Sequence, residues 1–415
     1  MDVLAALLII YRSIVKKGRI NFSLDLKKRN MRKIIFVFTF IFCLLLIVGC
    51  KSDNGYIDNI LTENIIGITL KKNKEKVLYS ELFDSLKYVR LETTDDILIK
   101  DITRLKHINE RIYILDKRTQ TVFCFDMNGK LQWKIYQVGQ GPQEYMQLTD
   151  FDIDEENNKI YLFSSRDKIL VYDLSGNFVE GYNVRLGGNS YAYSKGQMHI
   201  YAGNTSSKTD GFGENNYLLS FNERAKTVEG RLPFKTDKRY GGTSTYNSSN
   251  AFCHYDNEIR FFMPFSNKIY SIKGDSIYIK YHFDFGEHNL PDDYFDNYTT
   301  DDVRKSKYVY GLNSFWENDK YFSFNTYIQE EFYQVFYSKK ENKIYSGALY
   351  DDMSYCSPIL LDATNDYVLG CLSVEDLSFI FNFSENENKN SILKQIISEV
   401  TEDDNPVIFL YYFKK

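Results

Sequence analysis

Arg111-Ile-Tyr-Ile-Leu-Asp116, followed by Thr121-Val-Phe-Cys-Phe-Asp-Met-Asn-Gly-Lys-Leu131, returns as Lys159-Ile-Tyr-Leu-Phe163 and Lys168-Ile-Leu-Val-Tyr-Asp-Leu-Ser-Gly-Asn-Phe178. Asp126 aligns with Asp173, and Asn128-Gly129 with Ser175-Gly176. Each copy reads as two short strands and a tight turn, because β-branched and aromatic residues alternate along a strand and glycine supplies the positive φ of the turn. Looser copies pair His199-Ile-Tyr201 with Asn216–Phe221, Glu258–Phe262 with Asn267–Ile272, Lys320–Phe324 with Glu331–Tyr337, and Asp366–Leu369 with Leu377–Phe381. Six units of roughly 40 to 60 residues with several strands each predict an all-β, six-bladed β-propeller with four-stranded blades. Radial closure protects the edges of so many strands. The chain closes best if the early stretch Lys87–Glu92 shares a blade with the last strand, Val407–Phe413. Asn390–Val400, with Ile392, Leu393, Ile396, Ile397 and Val400 at helical spacing, predicts one amphipathic helix.

Outward from this repeat, the amino end reads as an address. Met31-Arg-Lys33 is a basic start, Ile34–Val48 an uncharged apolar run, and Ile47-Val48-Gly49-Cys50 its end. The run is shorter than the ~20 residues of a membrane-spanning helix and suits the apolar region of a secretory signal. The boundaries expected are an over-extended start over 1–30, a lipoprotein signal peptide over 31–49, a lipidated tether and lead-in segment over 50–78, and the propeller over 79–415. The whole chain of 415 residues carries a net charge of -5. Without residues 1–49 the net charge becomes -12 over 366 residues, which disfavours nucleic acid and anionic lipid surfaces as partners. Tyr (34) and Phe (31) are abundant, as a β-rich core requires.

Two resemblances sharpen this. Ile47–Cys50 resembles the bacterial lipobox, which implies a diacylglycerol on the Cys50 sulfur, cleavage before it and firm membrane anchoring. Gly139-Gln-Gly-Pro-Gln-Glu-Tyr145, Asp150-Phe-Asp-Ile-Asp154, Val89-Arg-Leu-Glu-Thr-Thr-Asp-Asp96 and Asn405-Pro406 resemble the NHL-like six-bladed propeller lipoproteins of the Bacteroidota. That family usually has Gly where Gln143 stands, and the later units have lost the glycine motif. The resemblance implies an outer-membrane anchor, facing either the periplasm or the surface, and carries over no catalytic residue.

No catalytic or cofactor motif stands out. Gly139, Gly141, Glu144 and Tyr145 are the candidate binding loop: glycine backbones approach anions closely, while the structural reading is an inter-blade turn. Asp150, Asp152 and Asp154 share one strand face and could hold Ca²⁺; the plainer expectation is a solvated strand edge. The five histidines, 107, 199, 254, 282 and 288, form no zinc spacing. Of Cys124, Cys253, Cys356 and Cys371, only the last two fall in one blade; free buried thiols are favoured over a bridge. Asp84-Ser85-Leu86 and Asp275-Ser276-Ile277 resemble the O-glycosylation signal of the same phylum. Tyr191 with Tyr193, Phe261-Phe262 and Tyr411-Tyr412-Phe413 could stack on sugars or pack in the core. The loops Gly203–Asn215, Arg239–Asn250 and Glu287–Lys307 are the expected contact segments. The functional expectation is a monomeric, membrane-anchored scaffold that binds a protein or carbohydrate ligand, without cofactor or metal. The alternative is a hydrolase or lyase acting on a glycan or lactone through the central channel.

Overall fold

The structure, a computed structural model, describes residues 64–70, 76–164, 168–184, 187–203, 216–233, 250–383 and 391–415. The signal, Cys50, most of the tether and most of the loops 203–215 and 239–250 lie outside these residues.

The described strands form six sheets. From the inside outward, blade 1 is Arg104–Ile108, Arg111–Asp116, Thr121–Asp126 and Leu131–Ile135. Blade 2 is Leu148–Asp154, Lys159–Ser164, Lys168–Asp173 and Phe178–Asn183, and blade 3 is Ser190–Ser194, Gln197–Tyr201, Asn216–Asn222 and Thr227–Pro233. Blade 4 is Phe252–Tyr255, Glu258–Phe261, Lys268–Lys273 and Ser276–Asp284, and blade 5 is Tyr310–Glu317, Tyr321–Ile328, Glu331–Ser338 and Lys343–Tyr350. Blade 6 combines Ile359–Ala363, Tyr367–Leu372 and Val407–Phe413 with the early strand Phe83–Arg90, which pairs antiparallel with the last strand from Val407 opposite Arg90 to Phe413 opposite Phe83. The expected closure of the ring is therefore present. The segment ahead of it is more than a tether: Ile65–Gly67 and Lys76–Leu78 add parallel fifth strands to blades 4 and 5.

Six apolar cores, one at each blade–blade junction, complete the circle. Ile112 and Ile114 pack towards blade 6 beside Leu369, Ile408 and Leu410. Their neighbours Tyr113 and Leu115 pack towards blade 2 beside Phe151, Ile160 and Leu162. Both faces of each blade are thus buried, so the middle strands read as continuous apolar runs, where a one-sided sheet would alternate apolar with polar. Most of the Tyr and Phe excess goes into these junctions. Tyr161 stacks on Tyr193 at 3.8 Å and Phe163 on Tyr191 at 4.4 Å, so Tyr191 and Tyr193 are packing residues.

The two clearest turns obey one rule. Asp126 Oδ1 accepts the N–H groups of Asn128 and Lys130, and Asp173 Oδ1 accepts those of Ser175 and Asn177. Gly129 and Gly176 have φ of +80° and +82°, where a side chain is strained. Leu377–Phe381, expected as a strand, lies instead in the helix Val374–Phe383. Ser373 Oγ accepts the Asp376 N–H (3.0 Å) and donates to its carboxylate (2.6 Å), a Ser-x-x-Asp cap that starts the helix, and Val407–Phe413 fills the strand position. The helix Ser391–Glu399 matches the amphipathic stretch, and Leu393 and Ile396 enter the core between blades 5 and 6. Glu287–Lys307 folds largely into the short helices Tyr294–Asn297 and Thr300–Lys305 with a small core of their own. No described helix is long and apolar enough to cross a membrane.

Candidate functional site

The innermost strands share a direction, and their carboxyl ends surround a cavity of about 750 Å³ at the mouth of the central channel. Every blade contributes to it: Lys106 and His107 from blade 1, Asp154 and Glu155 from blade 2, Tyr193 from blade 3, His254 from blade 4, Trp316 from blade 5 and Asp362 from blade 6. The mouth lies on the face that carries the turns between first and second strands. The two helical insertions, one between blades 4 and 5 and one between the second and third strands of blade 6, follow strands of the opposite direction and lie on the other face.

The carboxylates of Asp150-Phe-Asp-Ile-Asp154 correct an expectation. They are not a solvated strand edge: Asp150 and Asp152 are 1% and 0% exposed and Asp154 is buried. As the innermost strand of blade 2, this stretch has a neighbouring blade on either side. Asp150 Oδ2 takes the Arg104 guanidinium of blade 1 at 2.5 Å and the Tyr191 N–H of blade 3 at 2.8 Å. Asp152 takes Lys106 Nζ of blade 1, the Tyr193 N–H of blade 3 at 2.6 Å and His254 Nε2 of blade 4 at 2.8 Å. Asp362 repeats the device between blades 6 and 1 by accepting the His107 N–H at 2.9 Å. Inner-strand carboxylates thus satisfy backbone donors that would face the channel unpaired.

Burial works against the Asp152 charge, but His254, Lys106 and Arg104 outweigh it and hold the carboxyl far below its ordinary range. Burial likewise opposes the Arg104 charge, and Asp150 and Asp152 more than restore it. Asp362 goes the other way: burial raises its pKa, only partly opposed by the His107 and Ala363 N–H groups, Lys106 and Arg104. The His254 side chain is 34% exposed and rests on a fully buried carboxylate. That is the arrangement of a positioned base with its orienting acid. Three described groups beside it are not activated as nucleophiles. Burial pushes the Cys253 thiol up to about 12, the Tyr193 hydroxyl bonds Glu223, and the Tyr255 hydroxyl bonds Asp319. No group of three or more described His, Cys, Asp or Glu side chains is placed to hold a metal ion.

The glycine loop sits elsewhere, between blades 1 and 2. Glu144 Oε2 accepts the Gly141 N–H (2.7 Å), the Glu144 N–H goes to the Gly141 carbonyl, and the Gly139 N–H goes to the Tyr145 carbonyl. Those amides are consumed within the loop. The Tyr145 hydroxyl donates to the Gln120 carbonyl at 2.7 Å, and Lys168 Nζ ties down the carbonyls of Gly141 and Glu144. The histidines are dispersed: His199 is buried on Ser220, His107 lies against the Tyr367 hydroxyl, and His288 bonds the Lys307 carbonyl. Cys124, Cys253, Cys356 and Cys371 are free thiols. Ser85 and Ser276 are exposed.

Sequence reading missed Arg104, Lys106 and Asp362 and did not single out His254, because it caught second and third strands and passed over most innermost ones. A usable signal was present. Two to four residues separate each inner strand from a recognised second strand, as between Ile108 and Arg111 or Tyr255 and Glu258. Counting back would have placed the charged inner strand Arg104-Leu-Lys-His-Ile108 on the channel.

No curated protein matches this sequence. In structure the chain is similar to the "putative exported protein" of Bacteroides fragilis, with a TM-score of 0.71 and 19% identity over 85% of this chain and 100% of that one. A member of the DUF4221 family from Bacteroides vulgatus matches at a TM-score of 0.46 and 11% identity over 80% of this chain and 98% of that one. The first likeness supports the fold. A family model described as "Domain of unknown function (DUF4934)" matches residues 63–412, nearly the whole propeller, and the chain belongs to that family.

Proposed function

We propose that this protein is an exported, lipid-anchored propeller of the bacterial cell envelope that binds a small polar ligand at the mouth of its channel. The observation that carries this reading is the cavity of about 750 Å³ to which all six inner strands contribute. Its size suits a mono- or disaccharide or a short peptide segment. The apolar run Ile34–Val48 and Cys50 support anchoring, with the acylated Cys50 holding a monomer at the outer membrane. The acidic mature chain supports a ligand other than nucleic acid.

The test uses the full chain in detergent micelles. Thermal unfolding is followed with a panel of saccharides and short peptides, and His254→Ala and Trp316→Phe report whether a shift belongs to the cavity. A ligand-induced rise in Tm that either substitution removes supports the reading. No shift with any panel member, or a shift indifferent to both substitutions, overturns it. Anchoring is read by labelling cells with an alkynyl fatty acid; the label must vanish in Cys50→Ala.

The Asp152–His254 pair favours one second reading, a lyase or hydrolase in which His254 takes a proton from the ligand. It ranks below binding because it rests on this one pair, whereas all six inner strands shape the cavity. Turnover of a glycan or lactone that is lost in His254→Gln would reverse the order.

A further inference from the structure

The charges around the cavity do not cancel. Asp154, Glu155, Glu156, Asp256, Glu258 and Asp362 line it against Arg104, Lys106 and Lys195. The cations on the floor are already engaged: Arg104 on Asp150 and Lys106 on Asp152, both carboxylates lying just behind the wall. Of the acids, Glu258 has Arg260 and Lys273. Asp362 has no ion pair among the described residues. The His107 N–H fixes Oδ2, and burial has already driven the carboxyl towards its protonated form. A cation placed beside it would offset that burial penalty and restore the charged carboxylate.

Above this floor stands a predominantly acidic ring. The turns between first and second strands carry Glu110 in blade 1, Glu155 and Glu156 in blade 2, Asp256 in blade 4, Asp319 in blade 5 and Asp366 in blade 6, all exposed. Two cations interrupt the ring, Lys195 in the turn of blade 3 and Lys320 in that of blade 5, the latter with its Nζ on the Lys414 carbonyl. A low-dielectric channel mouth whose rim carries an excess of one sign of charge focuses field lines and concentrates ions of the opposite sign.

We propose that the cavity is selective for ligands bearing a protonated amine, the ammonium pairing with Asp362 while the acidic turns steer it in. This rests on the binding reading above and narrows it to a ligand class. An amino sugar and a lysine side chain of a short peptide share that chemistry, and the assay separates them.

Isothermal titration of the full chain in detergent micelles uses two matched series at 50 mM salt. One is glucosamine, N-acetylglucosamine and glucuronate. The other is Gly-Lys-Gly, its Nε-acetyl form and Gly-Glu-Gly, all with blocked termini. At least one amine should bind tenfold or more tighter than its acetylated partner. Its affinity should fall severalfold at 300 mM salt, where screening shortens the reach of the ring. Asp362→Asn, which keeps an acceptor for the His107 N–H, should cost tenfold or more. Glu155→Gln with Glu156→Gln, in an exposed turn, should weaken the salt dependence. Tighter binding of the acetylated or acidic members, or an unchanged affinity in Asp362→Asn, overturns amine selectivity and leaves the binding reading standing. No binding by either series, together with a flat Tm across the broader panel, overturns both.

Discussion

Removing the side chain of Asn405 should loosen the seam that closes the ring, although the residue lies just outside any strand. Asn405 is 3% exposed. Its Oδ1 accepts the Ile99 N–H at 2.7 Å, and its Nδ2 donates to the carbonyls of Glu92 (2.8 Å) and Ile97 (2.7 Å). Its own N–H reaches Thr93 Oγ1 at 3.0 Å. One amide thus ties the link from blade 6 to blade 1 to the start of the last strand. Asn405→Ala leaves two buried backbone groups and a part-buried one without their partner, each costing about 1–3 kcal/mol. Partial relaxation puts the sum near the low end, about 3–5 kcal/mol. With a urea m-value of about 3 kcal/mol/M, the unfolding midpoint should drop by about 1 M or more while m stays unchanged. Asn405→Asp separates this account from simple loss of volume. It keeps the acceptor for Ile99 but aims a carboxylate oxygen at two carbonyls, so at pH 7 it should be at least as unstable as Asn405→Ala. It should recover in part at low pH, where the protonated acid can donate once. Equilibrium unfolding followed by tyrosine and tryptophan fluorescence measures both. A loss below about 1 kcal/mol in both variants, far under the ~3 kcal/mol minimum for three stranded groups, would refute the reasoning.

Three further outcomes are expected. Gly129→Ala should destabilise by clearly more than Gly196→Ala in denaturant titrations: both have φ near +80°, costing about 1–2 kcal/mol for a side chain, but a Cβ on Gly129 would lie 1.9 Å from the Arg90 carbonyl oxygen and one on Gly196 meets nothing within 4 Å. Burial, with Arg231 and His254 nearby, lowers the pKa of His199 from 6.5 to about 3. The unfolded chain then binds the extra proton between those values, so stability is full above pH 6.5 and falls as the pH drops, by on the order of 2 kcal/mol at pH 5. His199→Gln should lose that much less between pH 7.5 and 5, and equal losses would count against it. Burial pushes Cys124 up to about 11 and Cys356 up to about 12, so a thiol reagent at pH 8 should leave both unmodified in the folded protein and react with both in urea.

The closing pair was largely legible, Val407–Phe413 as an apolar run and Lys87–Glu92 as an alternating one at opposite ends of a repeating chain, with the early strand itself shifted to Phe83–Arg90. Asn405-Pro406 was legible as a family feature, and its hydrogen bonds supply the reason for it. The helix Val374–Phe383 was misread. Its apolar residues suit either a strand or a helix by pattern alone, and the signal lay one residue upstream in the cap of Ser373 and Asp376. The candidate site was the least legible part. Its residues come one or two from each blade, separated in sequence by whole blades, so no local spacing joins Lys106, Asp152, His254 and Asp362.

The sequence by itself determined the repeat, the number of blades and the partners in the closing seam, because strand pattern and turn chemistry act over a few residues and recur. It also supplied the grounds for expecting an acylated Cys50, which lies beyond the described residues. Only the tertiary structure decided which side chains face the channel. Radial closure brings the first strand of every blade to one axis, and there a carboxylate that reads as solvent-facing in the chain becomes buried between two neighbours. Asp152 pairs there with a lysine and a histidine, while Asp362, of the same type on an equivalent strand, has no ion pair among the described residues. That difference depends on distances across the ring, which no stretch of the chain encodes locally.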